Sequence, residues 1–416
     1  MHDDGGAKSL DETHATKRAV FEVLRRALIR SLEPEYAQLR QDVRKCESAS
    51  GIAGVLEIAS ALTPFAATVR DLDADPYLLN VANGTLDLRT TELSAHNPRD
   101  RITKVTRAAY DPSAPASTWT AFLLRVLPDQ PVRDYLGRVA GVALFGRVLE
   151  HVLPILTGTG ANGKGTFYKA VLWALGDYGS TVELDLLMHR QGAHPTGEMD
   201  LLGRRLVVVS ESERDRRLAE ATMKRLTGGD TIRARRMRQD FIEFDPSHTP
   251  LLITNHLPKV AGDDPAIWRR LRVVPFIVEI AAHDRDQHLD EHLQAEADAV
   301  LAWAVSGWTD YRQRGLDEPA PVLVATNEYQ KASDAIARFV DECCVTSTPV
   351  LQATTTQLFD EWEKWRIADG AEPLSLKAFG QALTDKGYPA DKPTNGKKWR
   401  RGIALLAKER GDDDAK

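Results

Sequence analysis

Apolar residues recur along this chain in two rhythms. Short, mainly apolar runs stand at Val152–Leu156, Arg205–Ser210, Thr249–Thr254 and Leu271–Ile280. Runs of that length predict buried strands. Elsewhere the apolar positions return every three or four residues, as on one face of a helix: Thr16 to Lys45, Gly51 to Arg70, Thr118 to Leu127, Gln130 to Phe145, Leu218 to Thr227 and residues 285–315. Strands alternating with helices predict a mostly parallel α/β sheet within residues 148–280. Tyr77–Leu88 reads instead as a hairpin, because Asn83-Gly84 suits a tight turn with positive φ. Asp111–Pro115, and later Pro319 and Pro321, break the pattern.

The last part of the chain has its own plan. Thr355–Ala368 is helical, with Phe359, Trp362 and Trp365 at three-residue steps that suit packing. Ser375 is placed to cap a second helix, Leu376–Lys386. Tyr388–Thr394 and Lys398–Leu406 then read as a hairpin around Asn395-Gly396. Two helices followed by a hairpin suggest a winged helix. Its wing is basic through Lys397, Lys398, Arg400 and Arg401, which suits DNA, although a winged helix also serves protein partners. The expected division is a disordered tail (1–15), a mostly helical domain with a hairpin near 78–92 (16–147), a core (148–280), a helical extension and linker (281–334) and a winged-helix-like domain (335–410).

The first run leads into Gly158-Thr-Gly-Ala-Asn-Gly-Lys-Gly-Thr166, and Phe167–Leu175 follows with helical spacing. Strand, glycine-rich turn and helix form a phosphate cradle: backbone N–H groups curl round the anion and the helix N-terminus adds a favourable field. Gly158, Gly163 and Lys164 meet the G-x-x-x-x-G-K pattern, and Lys164 is the residue to reach the β- and γ-phosphates. Gly158, Gly160, Asn162, Gly163, Lys164, Gly165 and Thr166 are therefore the candidate nucleotide-binding residues. Gly165 stands where a Mg²⁺-binding Ser or Thr is usual, so either Thr166 substitutes one place later or the metal is held more loosely.

Hydrolysis also needs an acid, a polar sensor and a cation. Glu211 ends an apolar run, where a carboxylate can orient Mg²⁺ or polarise water; Glu213 is the second choice. Asn255 ends the next run. Arg269 and Arg270 follow Trp268, and a guanidinium reaching a neighbouring subunit's site would stabilise transition-state charge. Lys224–Arg238 holds six basic residues, and Ile232–Phe244 is expected to fold back as a hairpin with a basic tip. Such a tip suits phosphate contacts without sequence information; a solvated face is the competing view.

Composition narrows the classes. A chain of 416 residues, 43% apolar and 27% charged, is long enough for several domains. Its net charge of −6 argues against coating DNA along the whole outer surface but leaves room for local contacts. Three cysteines, Cys46, Cys343 and Cys344, make neither a disulfide framework nor a four-ligand zinc site. No apolar run reaches membrane-spanning length and the N-terminus lacks a secretory pattern, so a reducing, intracellular protein is expected.

The segments 158–167, 206–213, 224–235, 251–258 and 264–276, in this order, resemble the superfamily 3 helicases, most closely the phage/plasmid primase-helicase family. Residues 78–89 resemble that family's N-terminal region. The resemblance implies an AAA+-like P-loop core with ATP and Mg²⁺, Lys164 on the phosphates and Glu211 as second-motif acid. It makes Asn255 the sensor and Arg270 or Arg269 the finger supplied in trans. Lys224, Arg233, Arg235, Arg236 and Arg238 would serve the DNA-contacting hairpin. Two departures stand out: Gly165, and Ser210 where many relatives carry a first acid. The first 115 residues show no primase acids or zinc module at convincing spacing. The expected protein is an ATP-driven translocase on single-stranded or forked DNA. Its subunits would form a ring, expected to be a hexamer, with a separate primase or replication protein as partner. A nucleotide-binding initiator or regulator that does not unwind is the alternative.

Overall fold

The computed structural model describes residues 2–4, 7–9, 15–63, 66–183, 187, 197–211, 217–235, 240–260, 264–391 and 398–406. Near the N-terminus, β1 (His2–Asp4) and β2 (Ala7–Ser9) pair antiparallel, within the segment expected to be a tail. Helices α1 (Ala15–Arg30), α2 (Leu39–Cys46) and α3 (Ala49–Ala61) follow. The single pattern from Thr16 to Lys45 is thus broken. Pro34 disfavours helical backbone in the residue before it, and Glu33 is extended there. The Ser48 hydroxyl caps α3 by accepting from the Gly51 N–H at 3.0 Å. The expected hairpin forms as β3 (Leu78–Val81) and β4 (Gly84–Asp87), with Val81 opposite Gly84. A third strand, β5 (Glu92–Ser94), adds to it. Helices α4 (Ser117–Val126) and α5 (Gln130–Val142) come next.

The centre is a five-stranded parallel sheet. In chain order its strands are β6 (Leu153–Thr157), β7 (Gly179–Val182), β8 (Leu206–Glu211), β11 (Thr249–Thr254) and β12 (Leu271–Pro275). In space the order is β12-β6-β11-β8-β7. Side chains alternate between two cores. Leu156, Leu206, Val208, Leu251, Ile253 and Val274 face one that contains Trp119, Tyr135 and Trp308. Leu153, Ile155, Val207, Val209, Leu252 and Val273 face the other, with Met223 and Trp268. Burial on both faces explains why these strands read as apolar runs.

Helix α6 (Lys164–Leu175) follows β6, α7 (Glu220–Gly228) lies between β8 and the hairpin of β9 (Ile232–Ala234) and β10 (Ile242–Phe244), and α8 (Pro265–Trp268) precedes β12. The 285–315 stretch is a pair, α9 (Leu289–Ala295) and α10 (Ala297–Arg314). Buried Arg138 of α5 fastens α10: it donates to the Asp310 carboxylate at 2.8 Å and to the Leu316 and Asp317 carbonyls at 2.8 and 2.9 Å. Glu296, just before α10, accepts the N–H groups of Thr118 and Trp119 at the start of α4. Pro321 falls in the first turn of α11 (Ala320–Ser333), a position that tolerates a missing N–H.

The C-terminal unit comprises α12 (Ala335–Cys343), β13 (Cys344–Val345), β14 (Gln352–Thr354), α13 (Thr355–Asp369), α14 (Leu376–Asp385), β15 (Trp399–Arg401) and β16 (Ala404–Leu405). Phe339, Leu358, Trp362, Phe379 and Ile403 form its own core. Ser375 caps α14 through Ala378 N–H at 3.2 Å. Among the described residues, the expected pairing of 388–394 with 398–406 shows one bridge, Ala390 to Arg400. Instead β15 pairs with β14 and β16 with β13. Asn395 and Gly396 lie outside the described residues. No helix among the described residues is long and apolar enough to cross a membrane.

Candidate nucleotide-binding edge and basic hairpin

The sheet register sets the site. Thr157 of β6 pairs with Thr254 of β11, and Thr254 with Glu211 of β8, so the three strands end level with one another. Gly158 and Asn255 each follow the last residue of their strand. The glycine-rich loop, Glu211 and Asn255 therefore share one edge of the sheet, the carboxyl edge where open α/β sheets bind ligands. The Thr254 hydroxyl donates to the His256 carbonyl at 2.6 Å and accepts the His256 N–H at 3.0 Å, which holds exposed Asn255 in a tight turn. The Glu211 side chain, and Glu213, lie outside the described residues.

The loop is built around buried groups. A Cβ on Gly158, whose φ is 149°, would lie 2.3 Å from the Phe276 carbonyl oxygen; one on Gly163, with φ 86°, would lie 2.5 Å from the Val126 side chain. Ala161 holds a positive φ of 60°. Its carbonyl accepts Ile280 N–H at 2.8 Å, so the chain after β12 clasps the loop. Asn162 is buried and donates to the Phe276 carbonyl at 3.2 Å. The Lys164 ammonium is folded into the loop. It donates to the Gly158 and Thr159 carbonyls at 2.8 and 3.2 Å and to the Asn162 side chain at 3.1 Å. Burial pulls its pKa down to about 8.

Lys164 opens α6; the N-cap residue, Gly163, has no side chain to cap the helix, and the Lys164 N–H is met by the Asn162 side-chain oxygen at 3.4 Å. Gly160 and Gly165 have open space where a Cβ would stand. Thr166 is half-buried on the first turn of α6. A ring of backbone donors, a lysine and a helix N-terminus fit a polyphosphate. A hydroxyl and a strand-end acid fit Mg²⁺. A cleft of about 1180 Å³ lies between the β12 side of the sheet and the C-terminal unit, and reaches Thr157, the residue before the loop.

The arginine pair stands apart from this edge. Arg269 and Arg270 immediately precede β12, whose first residue, Leu271, pairs with Leu153 at the start of β6. They lie at the opposite edge, about 16 Å away by the rise of a strand. Arg269 is exposed, whereas Arg270 donates to the Thr227 hydroxyl at 3.1 Å. Lys224 is ion-paired to Asp264, which also caps α8 through the Ala266 N–H. Lys224 thus braces the helix ahead of the arginines.

On the hairpin, Arg233 and Arg235 are exposed; Arg236, Arg238 and Lys397 lie outside the described residues. In the C-terminal unit Lys398 is exposed and Arg401 pairs with Asp391 at 2.6 Å. Arg400 corrects the expectation of a basic wing. It is 3% exposed, and its guanidinium donates inward to the Gly380 and Tyr388 carbonyls and the Thr355 and Thr384 hydroxyls. It holds α13, α14 and β15 together and has no free face for a phosphate.

Comparison with known proteins adds a lineage. Residues 9–128 match the family described as "D5 N terminal like", and residues 156–270 match one described as "Family of unknown function (DUF5906)". The "Putative helicase L207/L206" of Acanthamoeba polyphaga mimivirus is 28% identical over 301 residues, 67% of this chain and 31% of that protein. The "Putative primase C962R" of African swine fever virus is 28% identical over 325 residues, 71% of this chain and 33% of that protein. The chain is thus similar, over these segments, to proteins named as helicases or primases of large DNA viruses. It spans about a third of the length of these curated relatives. Among solved structures, the apo C-terminal region of NrS-1 is similar with a TM-score of 0.45 and 13% identity, over 71% of this chain and 76% of that one.

Within this chain, the second matched segment runs from the end of β6 to Arg270 and so contains the loop, Glu211, Asn255 and both arginines. Two features escaped the sequence reading. Phe276 receives Asn162 through its carbonyl, which side-chain identity does not advertise. Phe241 sits among the hairpin arginines; an aromatic beside alternating Arg was the available signal.

Proposed function

We propose that this chain is the motor segment of a superfamily 3, AAA+-like DNA helicase that hydrolyses ATP with Mg²⁺ and translocates on single-stranded or forked DNA as a ring. The observation that carries this reading is the split placement of the site. Loop, acid and sensor share the carboxyl edge of the sheet, while Arg269 and Arg270 occupy the opposite edge. Arginines so placed are out of reach of their own loop, which favours head-to-tail subunits whose arginines serve the next protomer.

In this reading Lys164 turns from its carbonyl contacts to the β- and γ-phosphates, and the N–H groups of Gly163, Lys164 and Gly165 bind their oxygens. Thr166 and Glu211 would hold Mg²⁺, which when bound neutralises phosphate charge. Asn255 orients the attacking water and Glu211 polarises it. Exposed Arg269 is the better placed finger, and Arg270 supports it. Six subunits, a separate primase as partner, and a C-terminal winged helix that contacts DNA through Lys398 and Arg401 complete the proposal.

ATPase activity with and without single-stranded DNA, run beside particle mass, tests it. A ring mass and DNA-stimulated phosphate release support the motor. A single-subunit mass with no turnover refutes it. Gly165 favours a second reading, a nucleotide-binding initiator or regulator, which predicts ATP binding without DNA-stimulated release.

A further inference from the structure

Strands β9 and β10 form an amphipathic ribbon. Ile232, Ala234 and Phe244 point into the molecule and are buried. Arg233 pairs in register with Glu243, and Ile242 with Ala234, so Arg235 falls opposite Phe241. Arg233, Arg235, Phe241 and Glu243 then share the outer face, because side chains alternate along a strand. Phe241 is 43% exposed. The guanidinium carbons of Arg233 and Arg235 stand 4.8 and 4.6 Å from its centroid. Glu243 is the acid on this face, 3.9 Å from Arg233. Packing does not require an outward phenyl here: the inner face already anchors the ribbon, and the Thr231 hydroxyl donates to Asp245 at 3.0 Å across its base.

We propose that this outer face is a base-stacking platform for single-stranded DNA, with Phe241 as the stacking ring and Arg233 and Arg235 as its flanking cations. The inference rests on the helicase reading above and adds a contact to bases where only phosphate contacts were expected. A duplex hides its base faces, whereas a single strand offers base and phosphate side by side. An aromatic ring beside two guanidiniums matches that pairing without reading sequence. A base laid on Phe241 frees one guanidinium to follow the adjacent phosphate, and the other stays stacked on the ring.

The test compares binding of an oligothymidylate and an abasic strand of equal length by fluorescence anisotropy. The wild type binds the thymidylate more tightly. Phe241→Ala weakens thymidylate binding roughly 5- to 100-fold and leaves the abasic strand within about twofold. Phe241→Trp keeps the preference, which excludes a folding artefact. Arg235→Gln weakens both strands and lowers the salt slope by about one. The proposal is overturned if Phe241→Ala changes neither strand, or both equally, or if it alters particle mass instead, which would make this face a subunit contact. Equal wild-type affinity for both strands sinks the platform alone; no binding of either strand sinks the helicase reading with it.

Discussion

The side-chain oxygen of Asn162 accepts both the Lys164 ammonium, at 3.1 Å, and the Lys164 backbone N–H, at 3.4 Å. Through its amide nitrogen the same residue holds the Phe276 carbonyl at 3.2 Å. Asn162 is thus the link between the phosphate loop and the end of β12. It is 3% exposed, so its role is to hold the loop's shape from within.

Asn162→Ala removes these bonds and leaves the Phe276 carbonyl without its partner. Each lost buried bond costs about 1 kcal/mol or more. ATP affinity, measured by calorimetry, is expected to fall roughly tenfold with the fold retained. Unchanged affinity would show that the loop does not depend on this link.

The buried Lys164 ammonium, with its pKa pulled down to about 8, gives nucleotide binding a pH signature. Phosphate needs the charged form and raises the pKa again once bound. As pH rises above about 8 the free protein loses that proton, so binding weakens by about tenfold per pH unit until the pKa of the complex is reached. Below about 8 affinity is flat on this account. Calorimetry from pH 7 to 9.5 checks it; equal affinity throughout contradicts it.

Gly165 has nothing within 4 Å of the place a Cβ would take. Gly165→Thr should therefore fold with an unchanged melting midpoint and restore a hydroxyl beside the phosphates. The Mg²⁺ concentration for half-maximal ATP hydrolysis should fall several-fold. A variant that folds but loses hydrolysis would mean that Thr166 already supplies the only workable geometry.

How much of this was readable beforehand depended on burial. Strands β6, β8, β11 and β12 are buried on both faces, so each announced itself as an apolar run. Edge strand β7, Gly179-Ser180-Thr181-Val182, is partly exposed and small, and β5 is exposed throughout; neither has a pattern to see. The spatial order of strands was not legible either, because apolar period fixes which side chains are buried and not which strands pair. Only the register shows that Arg269 and Arg270 lie at the edge away from the loop. Arg400 misled for a related reason. In sequence it continues a basic run, yet the Gly380 and Tyr388 carbonyls and the Thr355 and Thr384 hydroxyls turn its guanidinium inward.

Buried His248 makes stability pH-dependent. Both ring nitrogens lack partners among the described residues, and burial lowers its pKa to about 4 from 6.5. The neutral ring is the folded form, so the stabilisation is complete above pH 6.5 and is lost as pH falls towards 4. The loss is about 3 kcal/mol. Denaturant midpoints measured from pH 7 to 4 should drop, and His248→Leu should flatten that drop. An equal drop in both proteins would assign it to other groups.

The most direct measurement of the central claim is DNA-stimulated ATPase activity in mixtures of two inactive proteins, Lys164→Ala and the double variant Arg269→Ala, Arg270→Ala. If one protomer's arginines complete the next protomer's loop, mixing restores part of the wild-type rate, because some seams then pair an intact loop with intact arginines. If the mixture stays as inactive as its components while each protein assembles normally, the arginines do not act across a shared seam and the account fails.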